Sequence, residues 1–204
     1  MRRAFLVSLL FLSIGLVIGS RFYPTVEHVD IFGNVHFSPN EVMELARVSP
    51  GDPFFWITKS RLEQLAENPW IRSVYVYKRW PTTVSLIVEE RTPSLSDGTT
   101  TYALDGTALP APRPEELAGL TRIEGFGEER FAEAVELAQV LAEFGPEVLS
   151  YSPAGFTIQL ANREVFTPSV ESLKANWASL QAGFERQEGT QFAVYPWGVS
   201  ATHD

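Results

Sequence analysis

Beyond an apolar N-terminus, hydrophobic and polar positions alternate in a pattern that predicts a strand followed by a helix. Residues 25–31 are rich in β-branched side chains and lead into Gly33, which is typical of a strand that ends in a turn. Ser38 and Glu41 have the spacing of a capping box, in which each side chain accepts a hydrogen bond from a free backbone N–H. The sequence therefore predicts a helix that begins after Ser38 and ends before Ser49-Pro50-Gly51-Asp52, where proline and glycine interrupt it.

The following segment predicts a second helix and a β-hairpin. A short helix starts near Ser60 and ends before Pro69, because the residue before a proline avoids the helical conformation. Residues 70–78 and 82–90 are rich in β-branched and aromatic side chains and flank a short turn. Apolar residues at alternate positions of this hairpin share one face, namely Val74, Val76, Val84, Leu86 and Val88. The predicted order is strand, helix, helix, strand, strand, with the helices covering that face.

The C-terminal half predicts more strands and two helices. The dipeptide Asp105-Gly106 favours a hairpin turn because glycine adopts positive φ angles readily. The predicted elements are a hairpin over residues 100–109, a helix over 128–144, strands at 147–153, 156–160 and 163–167, a helix from Val170 to Phe184, and a final strand at 191–197. Short strands separated by turns indicate an antiparallel sheet.

The N-terminus has the composition of a membrane segment. Residues 4–20 contain no charge, and they follow Arg2 and Arg3, whose charge keeps that end of a membrane helix in the cytoplasm. The pattern predicts an uncleaved transmembrane anchor over residues 4–21, with residues 1–3 as a cytoplasmic tail. A cleaved signal peptide has the same basic start and short apolar stretch, so it is the alternative.

Composition removes several classes of function. The 204 residues carry a net charge of −9, which repels a phosphate backbone and argues against a nucleic-acid partner. The chain contains no cysteine, so disulfides, thiolate nucleophiles and cysteine-ligated zinc are excluded. His28, His36 and His203 stand in no catalytic or metal-binding spacing. The sequence therefore predicts no enzyme, cofactor, metal site or small-molecule substrate.

Residues 25–93 resemble the POTRA module of the FtsQ/DivIB family of bacterial cell-division proteins. The resemblance lies in the run VEHVDIFGN, the capped helix, and the stretch from Asn68-Pro69-Trp70-Ile71 through Val74, Val76, Arg79 and Pro81 to Glu89-Glu90-Arg91-Thr92-Pro93. The C-terminal half is similar to the β domain that follows POTRA in this family. The resemblance implies an α+β fold: an N-terminal transmembrane helix, a POTRA module with the order β-α-α-β-β, and a mixed α/β domain with an antiparallel sheet and an edge C-terminal strand.

The same resemblance implies the domain plan and the function. The implied parts are a cytoplasmic tail (1–3), the transmembrane anchor (4–21), the POTRA domain (22–92), the β domain (93–199) and a C-terminal tail (200–204). The implied function is that of a non-catalytic divisome scaffold at the division septum, single-pass in the bacterial inner membrane with its other domains outside the cytoplasm. It would link early and late division proteins during septal peptidoglycan synthesis. Its implied partners are FtsB and FtsL-like coiled-coil proteins and other divisome components.

The resemblance also implies where the partner binds. In the family, the C-terminal strand of the β domain is an open sheet edge, which implies β-augmentation here through about residues 191–200. The predicted partner-binding residues are Phe192, Val194, Tyr195 and Trp197. The alternative is that Phe192 and Val194 face the core while Tyr195 and Trp197 only cover the edge. Where many family members have an Asp-Leu-Arg run near the terminal strand, this chain has Ala193-Val194-Tyr195-Pro196. Pro196 has no N–H, so the sequence leaves open whether pairing crosses it.

Two rival functions are compatible with parts of the sequence. A POTRA element of a protein-export or outer-membrane assembly machine would also bind extended chains by strand addition. After Pro93, however, the sequence shows only about six short strands, and an outer-membrane barrel needs at least eight. An exported enzyme is opposed by the lack of a catalytic constellation.

Overall fold

The chain forms two compact units, residues Met1–Arg91 and Thr92–Asp204. The computed structural model describes residues 2–186 and 189–202, with side chains from residue 6 onward. Met1 of the predicted cytoplasmic tail and residues 203–204 of the predicted C-terminal tail lie outside the described residues.

The first unit contains three helices, three strands and two short 3-10 helices among its described residues. In chain order these are α1 (Arg2–Gly19), β1 (His28–Phe32), α2 (Pro39–Ala46), 3-10 helices at Phe54–Trp56 and Lys59–Leu62, α3 (Glu63–Ala66), β2 (Ile71–Arg79) and β3 (Thr83–Glu90). Beyond α1, the order strand, helix, helix, strand, strand agrees with the sequence analysis.

Helix α1 includes most of the predicted membrane segment. Among the residues that the structure describes, none of the helices combines the length and the apolar character that a membrane crossing requires. The structure therefore does not support the transmembrane helix that the sequence predicts over residues 4–21.

The three-stranded sheet of the first unit has the order β1-β3-β2. Strand β1 runs parallel to β3, and β2 runs antiparallel to it. The capping box is confirmed, because the Ser38 hydroxyl accepts from Glu41 N and the Glu41 carboxylate accepts from Ser38 N. Val84, Leu86 and Val88 are buried in one apolar cluster with residues of α2 and α3, as the alternation predicts.

The second unit contains nine strands and three helices among its described residues. These are β4 (Pro93–Ser96), β5 (Thr101–Ala103), β6 (Ala108–Leu109), β7 (Thr121–Gly125), α4 (Phe131–Val140), β8 (Val148–Ser152), β9 (Gly155–Leu160), β10 (Arg163–Thr167), α5 (Val170–Ala175), α6 (Trp177–Arg186), β11 (Gln191–Tyr195) and β12 (Gly198–Thr202), with 3-10 helices at Pro114–Leu117 and Ala142–Phe144. The predicted helix over 128–144 is shorter, and the predicted last helix is divided at Asn176.

The nine strands form one sheet in the order β12-β11-β10-β9-β8-β7-β4-β5-β6. The antiparallel arrangement predicted for the strands at 147–153, 156–160 and 163–167 is present in β8, β9 and β10. The sheet as a whole is mixed, because β4 with β7, β7 with β8, and β10 with β11 are parallel pairs. Two of these pairs are joined through helices, α4 between β7 and β8, and α5 with α6 between β10 and β11. Parallel neighbours need such crossovers, whereas hairpins connect antiparallel ones. The large core of the unit lies between the sheet and the helices.

Candidate functional site at the C-terminal sheet edge

The predicted partner strand is an interior strand of the sheet. Strand β11 pairs on one side with β10, in the register Val165 to Phe192, and on the other side with all five residues of β12. The backbone of residues 191–193 is therefore already paired on both flanks, and residues 194 and 195 are paired with β12. The prediction that this strand forms the open edge is wrong, and the edge is the strand that follows it, β12.

Phe192 and Val194 belong to the core of the second unit. Their side chains are 2% and 0% exposed, and the Phe192 ring meets the Phe184 ring edge to face with centroids 4.9 Å apart. Their cross-strand neighbours on β12 are Ala201 and Val199. Neither side chain is accessible to a partner, so the alternative interpretation holds for these two residues.

Tyr195 and Trp197 lie at the tight turn between β11 and β12. Their rings are stacked, with centroids 5.0 Å apart and planes 1° from parallel. Tyr195 is half-buried because its ring also approaches Phe166, and its carbonyl oxygen accepts a 2.8 Å hydrogen bond from the Asn176 side chain. Trp197 is 82% exposed. Of the four predicted residues, Trp197 is the one whose side chain a partner can reach in full.

Pro196 lies in this turn and outside both strands. A residue in a two-residue turn has no ladder bond to donate, so its missing N–H does not interrupt the sheet. Pairing at the sheet edge does not have to cross Pro196, because the edge strand begins two residues later, at Gly198.

Strand β12 is the C-terminal edge of the nine-stranded sheet. Alternate residues of an edge strand direct their N–H and C=O groups away from the sheet, which offers a template for another strand. Within the described part of the chain, no strand pairs with the outer side of β12. Its sequence, GVSAT, carries neither the charged side chains nor the proline that usually protect an edge.

The position of β12 depends on close packing against the core of the second unit. Val199 and Ala201 pack against the core of the second unit, and helix α6 lies beside the strand. A Cβ added at Gly189 would lie 2.5 Å from the Thr202 carbonyl oxygen, so glycine is needed where the chain enters β11. These contacts hold strand β12 in place, so the edge strand is not a loose terminus. Residues 200–202, predicted as part of a C-terminal tail, belong to this strand.

A groove lies between helix α6 and the last two strands. Its volume is about 460 Å³, and it is lined by Ala178, Ser179, Ala182, Gly183, Arg186, Phe192, Val199 and Ala201. Small residues recur on α6 at positions 178, 179, 182 and 183, which lie on one face because residues four apart are neighbours on a helix. The groove runs alongside the open edge, so a strand added to β12 would bring its alternate side chains to it.

Sequence reasoning missed β12 and the groove, although a signal for the strand was present. Pro196, Trp197 and Gly198 mark a turn, and Val199 and Ala201 then alternate with polar residues up to Thr202. The groove has no comparable signal, since it depends on how α6 packs on the sheet.

The candidate site offers an exposed indole, a groove and the outward backbone groups of β12. Across residues 2–186 and 189–202, no group of three or more histidine or acidic side chains is placed to hold a metal ion. His28 is exposed, and His36 is stacked on Trp70 with ring centroids 3.5 Å apart. His203 lies outside the described residues.

Comparison with known proteins identifies the first unit. The family described as POTRA domain, FtsQ-type, matches residues 25–91. The cell division protein FtsQ of a Geobacter species is 33% identical over 69 residues, which cover 33% of this chain and 25% of that protein. The chain thus matches about a quarter of the length of this curated relative. The predicted resemblance to the FtsQ/DivIB family is confirmed, and it rests on the POTRA segment.

Proposed function

We propose, on the premise that residues 25–91 are an FtsQ-type POTRA domain, that the chain is a non-catalytic scaffold of bacterial cell division. The scaffold links early and late division proteins at the septum during peptidoglycan synthesis. The observation that carries the proposal is the combination of this domain with an open, uncharged edge strand in the second unit. The match is specific to the FtsQ type of POTRA, which favours division over protein export or outer-membrane assembly.

Attachment to the cytoplasmic membrane is part of the proposal. Residues 4–20 carry no charge and follow two arginines, which supports an N-terminal anchor with its start in the cytoplasm. The POTRA domain and the second unit then lie outside the cytoplasm. Extraction of bacterial membranes with alkaline carbonate tests this attachment, since an anchored chain stays in the pellet and a peripheral chain is released.

Partner binding is proposed to occur by strand addition to β12. An extended segment of an FtsB- or FtsL-like protein would pair with the outward N–H and C=O groups of Gly198–Thr202 and become a tenth strand. Backbone pairing supplies affinity without regard to sequence, so specificity needs side-chain contacts. Apolar side chains of the partner entering the α6 groove, and contact with Trp197 at the turn, would provide them.

Proline substitutions on β12 test strand addition. Alternate residues of β12 direct their N–H groups toward β11 and away from it, so Val199→Pro and Ser200→Pro remove donors on opposite sides. The variant that loses an outward donor should stay folded and lose at least about tenfold in affinity for a purified FtsB-like partner, measured by titration calorimetry. The variant that loses an inward donor should unfold at lower temperature.

A matched control lies at the other end of the same sheet. Ala108→Pro alters β6, the opposite edge strand, and should leave partner affinity unchanged. If every variant that remains folded binds the partner as wild type does, partner pairing at β12 is wrong.

A further inference from the structure

Five exposed aromatic side chains gather at one end of the first unit. They are Phe22, Tyr23, Phe55, Trp56 and Trp80, with exposures between 41% and 75%. Exposed apolar residues usually occur singly on a protein surface, and a contiguous group marks a contact with another phase or molecule. We name these five residues, together with Arg21, Lys59, Lys78 and Arg79, the aromatic rim.

Contacts between three segments bring the rim together. The Trp56 indole N–H donates to the Ser20 hydroxyl at 3.3 Å. This hydrogen bond joins the 3-10 helix Phe54–Trp56 to the residue that follows helix α1. Lys78 on β2 donates to the carbonyl oxygens of Phe54 and Phe55 at 2.8 and 3.4 Å. The rim residues of these segments therefore share one end of the unit.

The turn between β2 and β3 completes this end. Strand β1 begins opposite Thr83, and Glu27 N donates to Thr82 O at 2.8 Å. Trp80, which lies in that turn, is thus placed beside the chain that leaves α1 and enters β1. The opposite end of the sheet is marked by Val35, whose N–H donates to Glu90 at the far end of β3. Seven residue steps of β3 separate the two ends by about 23 Å.

The rim is basic, although the whole chain has a net charge of −9. Residues 20–27, 52–61 and 78–82, which form this end, carry five basic and two acidic side chains. One of the acids, Asp52, pairs with Arg61 at 3.2 Å. Arg21 places its guanidinium 5.0 Å from the centre of the Trp56 ring. Positive charge and aromatic rings are therefore interleaved on one surface.

We propose that the aromatic rim is a docking surface for an anionic lipid headgroup layer. Tryptophan and tyrosine favour the membrane–water interface because their rings are amphipathic, and lysine and arginine are attracted to anionic lipids. The rim also follows directly on α1, whose described large apolar side chains are 44% to 69% exposed. The folded POTRA domain itself would contact the membrane. The end of the domain that carries the aromatic rim would lie against the bilayer. This extends the membrane attachment proposed above and does not depend on partner binding at β12.

Spin labels provide the test, because the chain has no native cysteine. Full-length protein is labelled at Phe55→Cys or Trp80→Cys and reconstituted in phosphatidylglycerol–phosphatidylcholine vesicles. Val35→Cys, an 80% exposed apolar position at the opposite end, is the matched control. Relaxation of the spin label by oxygen, which concentrates in lipid, measures its exposure to the bilayer. Relaxation of the same label by a water-soluble nickel complex measures its exposure to water. The two rim labels should lose most of their accessibility to nickel, and the Val35 label should keep it.

Charge reversal tests the role of the anionic headgroups. The double substitution Lys59→Glu with Arg79→Glu should restore the accessibility of the Trp80→Cys label to nickel. Each basic residue near an anionic surface contributes about fivefold to the affinity for that surface. Arg72→Glu, on the same strand at the far end, is the control and should leave the label protected. Vesicles of phosphatidylcholine alone should give weaker protection than anionic vesicles.

Four outcomes overturn the rim proposal. Rim labels that stay open to nickel while the protein floats with the vesicles would contradict the rim and leave the membrane anchor intact. A chain that does not float at all would contradict both. Protection of the Val35 label to the same extent would mean that the contact is not specific to the rim. Protection that requires an added protein rather than lipid would assign the surface to a protein partner.

Discussion

Two aromatic residues a few positions apart differ completely in what they do. Phe192 is buried among the helices of the second unit, and Trp197 projects from the turn at the sheet edge. Both residues lie in one predicted strand, and the sequence does not show which of the two is buried. The period of a strand assigns side chains to two faces, but it does not show which face is covered. The structure separates a residue that holds the fold from a residue available to a partner.

Substitution at these two positions should separate folding from binding. Phe192→Ala removes a fully buried ring and should lower the free energy of unfolding by about 3–5 kcal/mol. Trp197→Glu should change it by less than about 0.5 kcal/mol while weakening partner binding. Denaturant unfolding and titration calorimetry on both variants measure these effects. Normal partner binding by Trp197→Glu would remove this residue from the site.

Asp97 stabilises a turn of the second unit in a pH-dependent way. Its carboxylate accepts from the backbone N–H groups of Thr100 and Thr99, at 2.7 and 2.8 Å, and from the Tyr102 hydroxyl. These hydrogen bonds to the charged form, that of Thr100 first, hold the pKa of Asp97 below its usual value. Because the folded-state pKa is lowered, the stabilisation is present above the unfolded value of about 4 and is lost as pH falls through the folded value.

Replacement of this carboxylate tests the pH dependence. Asp97→Asn should be less stable than wild type by about 1 kcal/mol at pH 7, the usual net value of such hydrogen bonds. The difference should shrink as pH falls from about 4 through the lower folded-state pKa of Asp97, since the wild-type carboxylate is then protonated. Urea unfolding at several pH values gives the comparison. A difference that does not depend on pH would show that the carboxylate charge does not stabilise the turn.

At the scale of elements, the clearest local signal is the start of α2. The reciprocal bonds between Ser38 and Glu41 are those that the spacing predicts. Ser38→Ala should lower the melting temperature of the POTRA domain, with a loss of about 1 kcal/mol. Thr58→Ala is a matched control, because Thr58 precedes a 3-10 helix without a side-chain capping bond. Circular dichroism gives the melting temperatures of both variants. Equal melting temperatures would contradict the capping assignment.

Elements with a strong period were predictable, and elements defined by distant pairing were not. The β2–β3 hairpin has apolar residues at alternate positions in the middle of both strands, so its buried face follows from the sequence. Strand β7 has five residues and pairs in parallel with β4 and β8, which the chain reaches through long connections. Nothing local to residues 121–125 indicates those partners. The same limit explains the error at β11, whose position inside the sheet depends on β10 and β12.

At the scale of the whole molecule, the FtsQ-type POTRA domain and the sheet edge support a role in assembling other proteins. A fluorescent fusion of the full chain should localise to the division septum. Cells depleted of the protein should grow as filaments, because septal synthesis fails without the scaffold. Rescue by wild type, and loss of rescue by the stable proline variant of β12, would connect the edge strand to division. Normal division in depleted cells would contradict the proposed function.

The most direct measurement of partner pairing is hydrogen–deuterium exchange of the full chain with and without a purified FtsB-like partner. Amides of residues 191–193 in β11 lie between two paired strands and should exchange at the same slow rate in both samples. Outward-facing amides of Gly198–Thr202 should slow by about tenfold or more when the partner adds a strand. If the partner binds and exchange in β12 does not change, binding occurs elsewhere and the edge-strand account is wrong.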